Sequence, residues 1–424
     1  MTTPDTAADT RLGLRGDRGP ILGALMLATA LVALDATILA TASTTIAREL
    51  GAFEQVPWLF SAYTLAQAVT VPVYGRLADV LGRKRVMLVG IALFLLGSVL
   101  CAVAWSMPAL IWSRVLQGLG AGAILPLSMT IASDIYTLAE RARTQGYMAS
   151  VWAVSSVLGP TLGGVFSQFV SWRWIFWVNV PIGAVALLTL WRTFREKERD
   201  GAREPVDYLG AVLLTGGSTL LVLGLLEGGH AWGWASPQSI GIFGASVVLL
   251  AAFAVAARRT AHPIFDLRLL RRRVVGASTA ASLMVGVITL GLSTYVPIYA
   301  QGVLGVGPLV AGFALASLTL GWPIAATLSG RVYLTIGFRW TSTIGSLVVL
   351  AGTLLTLLLG TGSAVWQISA SVFVIGLGMG LVAVPTLLAA QHSVGWGERG
   401  AVTATNMFAR SIGQAVGSPR SGRW

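Results

Sequence analysis

Gly75-Arg76-Leu77-Ala78-Asp79-Val80-Leu81-Gly82-Arg83-Lys84-Arg85 decides the reading of this chain. Two glycines bracket an aspartate and open onto three consecutive cations, between stretches that are almost free of charge. Gly75 and Gly82 permit a tight turn and a close approach of helices, and Asp79 can face a helix N-terminus or a neighbouring arginine. Arg83, Lys84 and Arg85 hold the segment in water. A basic loop that merely obeys topology would account for the cations, but not for the glycine and aspartate spacing.

The composition around this loop excludes a water-soluble protein. Of 424 residues 55% are hydrophobic and 11% charged, against roughly 25% charged in an ordinary soluble domain. With a mean hydropathy of +0.76, the apolar residues exceed what soluble cores could bury, so lipid is the solvent for much of the chain. Disorder and a secreted disulfide scaffold fall at the same step, because the single cysteine, Cys101, lies alone in an apolar run. The net charge of +12 would suggest nucleic acid in a soluble protein. Here the basic residues punctuate apolar segments, so they read as topology and no nucleic-acid partner is expected.

Apolar stretches of about 18 to 25 residues are long enough to cross a bilayer as helix. They fall near 20–43, 58–78, 86–105, 109–133, 146–169, 175–194, 207–226, 239–257, 275–301, 309–330, 341–361 and 365–390, with a thirteenth beginning near 400. The first is read as a membrane helix rather than a cleaved signal peptide, since Asp35 interrupts it and similar runs recur throughout. On this map 23 of the 29 Lys and Arg residues share one side, and only Arg48 and Arg173 fall on the other. The excess of positive charge predicts a cytoplasmic N-terminus.

Six spans precede the charged segment 192–206, where a two-bundle protein would place its linker. An internal echo supports two halves: Gly330-Arg331-Val332-Tyr333-Leu334-Thr335-Ile336-Gly337-Phe338-Arg339 repeats the first loop, with both glycines displaced by 255 residues. That is too long for six spans by one helical hairpin, which makes spans seven and eight, 207–257, an insertion. The expected organisation is a tail over 1–19, a six-helix bundle over 20–194, a linker with two inserted helices over 195–270, and a second bundle over 271–417. A divergent polar segment, 418–424, cannot continue a span, so the second bundle is expected to lack its last helix, as in a truncated or frameshifted form.

The spacing G-x-x-x-D-x-x-G-R-K resembles the signature of the major facilitator superfamily between its second and third helices. Leu34-Asp35-Ala36-Thr37-Ile38 in span one, Trp58 with Ala62-Tyr63 in span two, and Arg114-Val115-Leu116-Gln117-Gly118 in span four resemble its drug/proton antiporters. Gly159-Pro160-Thr161-Leu162-Gly163-Gly164 in span five resembles the motif of its antiporters, and Trp172 to Pro181 the entry to span six. Together these cover residues 34–183 in the right order. The resemblance implies an all-α polytopic membrane protein of the major facilitator fold, in the branch with two extra helices between two six-helix bundles. Segment 400–417, with Asn406, Arg410 and Gly413, resembles the start of that branch's thirteenth helix. Leu334 departs from the pattern, which has an aspartate there.

The resemblance further implies a multidrug efflux transporter of the cell membrane, exporting amphipathic or cationic small molecules in exchange for protons. The proton gradient would drive it, without a cofactor. Asp35 is the expected proton-coupling residue, because a carboxylate inside a span is costly until a cation or an aqueous path stabilises its charge; a structural aspartate near a helix kink is the alternative. Arg114 stays protonated and can bias a neighbouring acid or serve as a structural anchor. Trp58, Tyr63 and Gln117 join them as substrate or coupling residues. Gly75, Asp79, Gly82, Arg83 and Lys84, with Asp134 and Arg141, form the expected cytoplasmic gate. Gly159, Pro160, Gly163 and Gly164 are expected to thin span five and let it bend against a neighbour.

Other classes fit less well. No Gly-Lys-Ser/Thr phosphate loop is present and His230, His262 and His392 are too dispersed for a metal site, so neither ATP hydrolysis nor a polytopic enzyme is expected. A uniporter or symporter of a polar metabolite, a transport-dead form and a channel remain as alternatives.

Overall fold

The computed structural model describes residues 16–51, 53–196, 207–228, 232–260, 263 and 267–416. Most of the expected N-terminal tail, the linker after Glu196, His230, His262 and the 418–424 segment lie outside them.

Helices account for nearly all of these residues. They are α1 Gly19–Leu50, α2 Val56–Leu81, α3 Arg83–Ala102, α4 Met107–Ile135, α5 Leu138–Val165, α6 Trp174–Trp177, α7 Asn179–Thr193, α8 Tyr208–Glu227, α9 Pro237–Arg259, α10 Leu267–Arg271, α11 Arg273–Gly302, α12 Pro308–Leu357, α13 Val365–His392 and α14 Arg399–Val416. Among the described residues ten helices are long and apolar enough to cross a membrane, and the sole extended pairing is the isolated bridge between Gly228 and Trp232. Backbone groups in lipid must be satisfied within their own segment, which leaves helix as the solution for a chain of this pattern.

Each expected span falls on a helix, with three physical differences. The sixth breaks at Val178 into α6 and α7, because Pro181 cannot donate to the Trp177 carbonyl one turn back. The tenth and eleventh are not separated by a loop: α12 runs through both and turns at Gly337, whose φ is 82°. Gly82, its counterpart in the first half, has φ 97°, so the repeat read from sequence is a repeat of backbone conformation that only glycine adopts readily. The fifth begins eight residues earlier than expected, because Thr137 and Glu140 form a capping box at its start.

Small residues govern how the helices meet. Gly118 and Gly122 of α4 lie against the α2 backbone at Tyr63 and Gln67, while Gly120 faces Gly90 and Phe94 of α3. In lipid such close approach supplies the dispersion contacts that hydrophobicity cannot. α1, α5 and α7 complete the first half around Leu25, Leu31, Phe94, Ile124 and Leu127. α11, α13, α14 and α12 form the second half around Val372, Ile375 and Met379. The α8–α9 hairpin packs on α2. The outward surface carries Trp112, Val212, Leu347 and Trp366, all exposed, as a lipid-facing surface requires.

Candidate functional site

Two polar clusters stand apart from the apolar interior. The first lies within the first half, where α4's glycines bring its side chains against α1, α2 and α3. Asp35 of α1 and Arg114 of α4 are about 1% exposed and form an ion pair of 2.5 Å. Arg114 Nη1 also donates to Gln117 Oε1 at 2.7 Å, and its Nε donates to the Leu59 carbonyl at 3.1 Å. Gln117 Nε2 donates to Asp35 Oδ1 at 2.9 Å and to Ser98 Oγ at 2.8 Å. The guanidinium lies 4.1 Å from the centre of the Tyr63 ring. Asp35, Arg114, Tyr63 and Gln117, separated in sequence, therefore meet at one point. Trp58 is half-buried nearby on α2 and makes none of these bonds.

Sequence reasoning did not assign Ser98 or Asn179 to this cluster, yet Asn179 Nδ2 donates to Ser98 Oγ at 3.1 Å. Both are fully buried. A buried Asn at the first position of α7, just ahead of Pro181, was the available signal. The Tyr63 hydroxyl and Asn179 Oδ1 are buried without a hydrogen-bond partner. The cluster thus holds one acid, one fixed cation and polar atoms left unsatisfied within the helices.

The second cluster is at the basic face, the end carrying most Lys and Arg. Asp79, 1% exposed, joins the two halves: its carboxylate accepts from Gly400 N at 3.3 Å and Ala401 N at 3.0 Å, the first amides of α14. These amides have no intrahelical partner and carry the positive end of the helix dipole. Arg83, fully buried, donates to Asp79 Oδ1 at 3.1 Å, to Asp134 Oδ2 at 2.5 Å and to the Trp396 carbonyl at 2.7 Å, with its guanidinium 3.6 Å from the Trp396 ring centre. Arg399 reaches Asp134 Oδ1 from the second half at 3.3 Å. Gly75 lets α2 press on Gly400 and Ala404 of α14. Glu196 takes the backbone N–H of Arg83 at 2.7 Å and of Lys84 at 3.2 Å, so the start of the linker caps α3. Lys84 Nζ donates to the Trp191 carbonyl at 2.7 Å.

Arg141 does not join this cluster by an ion pair among the described residues. It donates to the Tyr136 carbonyl at 3.0 Å and to the Ser133 carbonyl, closing the end of α4. Its own side chain satisfies those orphan carbonyls, while its charge still acts on Asp134, the neighbour of Ser133. Trp396, Arg399 and Glu196 are members that sequence reasoning missed. Leu334, at the position matching Asp79, is half-exposed. The helix it would cap, α5, already has its own cap in Thr137 and Glu140.

The span-five motif is split by geometry. Gly159 and Gly163 bring α5 against α1, at Thr37 and at Thr41 with the Ile38 carbonyl. Gly164 has no atom within 4 Å of where a Cβ would stand, and Pro160 is exposed. Only two of the three glycines therefore serve the contact expected of them, since positions four apart share a helix face and Gly164 falls outside it. At the opposite end of the molecule Arg173 pairs with Glu49, and Trp172 Nε1 donates to the same carboxylate at 2.7 Å. The Arg173 hydrogen bond holds Glu49 below its ordinary 4.5.

No groups of His, Cys, Asp and Glu suited to a metal ion occur among the described residues.

Comparison with known proteins gives the family. Multidrug resistance protein 3 of Bacillus subtilis is 33% identical over 399 residues, covering 94% of this chain and 77% of that protein. Multidrug transporter protein MdtP of the same organism is 31% identical over 407 residues, covering 96% and 75%. The crystal structure of the human organic anion transporter MFSD10 superposes with a TM-score of 0.68 at 17% identity, over 95% of this chain and 92% of that one, a likeness of fold. These relatives are transporters, not enzymes. The profile of the Major Facilitator Superfamily matches residues 25–418, and with the paired halves, the glycine-kinked repeat and the Asp79 junction in place, the chain belongs to that superfamily.

Proposed function

We propose that this chain is a secondary transporter of the plasma membrane that exports amphipathic, drug-like small molecules in exchange for protons by alternating access. The basic face is the cytoplasmic one, with the N-terminus there. Segments 20–194 and 271–417 are the two moving bodies, and the α8–α9 hairpin is an accessory to the first. The observation that carries the reading is the Asp35–Arg114–Gln117 cluster, a sealed acid paired with a fixed cation inside the membrane. An intramembrane acid of this kind is a proton site by default, because its charge is stable only while its partner or water stays near. When Asp35 takes a proton, Arg114 loses its counter-charge and the surrounding contacts must change, which is how protonation would be tied to conformation. A cationic substrate would have to take Asp35 from Arg114.

The relatives' names, multidrug resistance protein and multidrug transporter, support a broad apolar substrate range. The Asp79–α14 junction supports a gate, since it closes the cytoplasmic face with bonds that exist in only one arrangement of the halves. The test is purified protein in proteoliposomes with an imposed pH gradient and a panel of amphipathic fluorophores. Accumulation that follows the gradient and collapses with an uncoupler is expected. Movement that ignores the gradient would point to a uniporter instead.

A further inference from the structure

The Gln117 carboxamide sits between two groups of fixed hydrogen-bonding sense. Arg114 only donates, and the Asp35 carboxylate only accepts. These partners set the amide: Oε1 takes Arg114 Nη1 at 2.7 Å, and Nε2 donates to Asp35 Oδ1 at 2.9 Å. Nε2 also donates to Ser98 Oγ at 2.8 Å, and the same oxygen accepts from Asn179 Nδ2 at 3.1 Å. Ser98 and Asn179 are fully buried and belong to α3 and α7, so one chain of bonds runs Asp35–Gln117–Ser98–Asn179 through α1, α4, α3 and α7. Gly97 keeps the two inner members together, because α3 presses so closely on α4 there that a Cβ would stand 2.5 Å from the Gln117 backbone nitrogen.

This arrangement suits a charged Asp35. A neutral acid carries an O–H that needs an acceptor, since a buried donor left unpaired is costly. Yet both groups bonded to the carboxylate, Arg114 Nη1 and Gln117 Nε2, are donors. The other titratable groups packed here are Tyr63 of α2, whose hydroxyl has no hydrogen-bond partner, and Cys101 of α3, whose thiol lies 3.8 Å from Gln117 Oε1. Turning the Gln117 amide end for end removes the conflict. Its oxygen then accepts from the acid, and its nitrogen faces Arg114, which loses its bond to the amide. The turned amide also presents oxygen to Ser98. Of the amide's partners, only the Ser98 hydroxyl is both a full-strength donor and an acceptor, so it serves either orientation.

We propose that Ser98 and Asn179 are positioning residues of the proton site, which let the Gln117 amide turn when Asp35 takes a proton and so release Arg114. Asn179 donates to one lone pair of Ser98 Oγ in both states, and the Ser98 hydrogen swings to the amide oxygen in the second. The change reaches α7 because Asn179 is its first residue, directly after the break at Val178, and α7 packs on α1 and α3. Asn179 Oδ1 is buried without a partner, so this side chain is tied to the cluster through Ser98. The role deepens the proton reading above and rests on it.

The experiment records infrared difference spectra of the purified full chain in liposomes as pH is stepped. Bands are assigned to Asp35 and Gln117 by their absence in Asp35→Asn and Gln117→Leu. The unaltered protein should show a carboxylic-acid carbonyl band from Asp35 that rises together with a shift of the Gln117 amide carbonyl. Ser98→Ala and Asn179→Leu should keep the Asp35 band and lose the Gln117 shift, whereas Ser98→Thr, which keeps the hydroxyl, should retain it. In the first two variants proton-driven substrate exchange should fall about fivefold, as loss of one net hydrogen bond allows, with equilibrative exchange unchanged. A Gln117 band that stays still while Asp35 titrates in the unaltered protein would overturn the proposal, and that result requires no change at Ser98 or Asn179. So would a full Gln117 shift in Ser98→Ala and Asn179→Leu, or an equal loss of driven and equilibrative exchange, which marks a structural role. An Asp35 band without the Gln117 shift leaves the proton reading standing; no Asp35 band at any pH would refute that reading and this role with it.

Discussion

Replacing Asp79 by Asn should open the cytoplasmic face, and the size of the effect follows from which bonds cross between the halves. The Asp79–Arg83 pair at 3.1 Å joins neighbouring helices of the same half and persists when the halves part. The bonds to Gly400 N and Ala401 N do not. A carboxylate at a partly buried helix N-terminus contributes up to about 2 kcal/mol. The amide also turns one acceptor into a donor, and where that leaves an α14 amide unsatisfied the closed arrangement loses about a further 1 kcal/mol. A loss of about 2–3 kcal/mol from the closed arrangement alone lowers the closed-to-open ratio about 30- to 150-fold. Spin labels replacing the exposed Arg85 and Arg339, one on each half, on a Cys101→Ser background, report this as a distance distribution. The unaltered protein should give a dominant short distance and Asp79→Asn a dominant longer one. An unchanged distribution in a monodisperse variant would refute the idea that the α14 amides hold the gate.

Three further outcomes are expected. Gly163→Ala should destabilise the protein by about 1–3 kcal/mol, because a Cβ there would stand 2.5 Å from the Ile38 carbonyl oxygen, whereas Gly164→Ala, with open space around it, should leave the thermal unfolding midpoint unchanged. On a Cys101→Ser background, a cysteine replacing Lys84 should react with an impermeant maleimide from the cytoplasmic side alone. The Glu49–Arg173 contact should follow the lowered carboxylate: its stabilisation is present above the ordinary value of 4.5 and is lost as pH falls through the depressed folded value. Glu49→Gln should remove that acid-side step from a pH series of unfolding midpoints.

The fold was legible because lipid leaves few choices: thirteen apolar stretches and two glycine-flanked loops displaced by 255 residues describe the helices and their repeat. Asp35 and Arg114 were legible as rare charges inside apolar runs, and their meeting followed from small residues on α4 that one sequence does not align with a partner helix. The proposed gate was half legible. Asp79 and Arg83 stand out by spacing, while Trp396 contributes a carbonyl and a ring face and Glu196 binds backbone amides, neither of which has a sequence pattern. Arg141 illustrates the converse: its charge suggested a partner acid, but the nearest unsatisfied groups are the carbonyls ending its neighbouring helix. Gly164 matches a motif by identity while facing away from the contact that the motif's other glycines make.

The central claim is that substrate movement is tied to a proton held at Asp35. The direct measurement loads proteoliposomes with a trapped pH indicator, clamps the membrane potential at zero and imposes a gradient of an amphipathic substrate. Antiport predicts proton movement against the direction of substrate flow. Asp35→Asn should abolish the proton signal while retaining equilibrative substrate exchange, since its amide cannot titrate. Substrate flow without proton movement in the unaltered protein, or an undiminished proton signal in Asp35→Asn, would contradict the account.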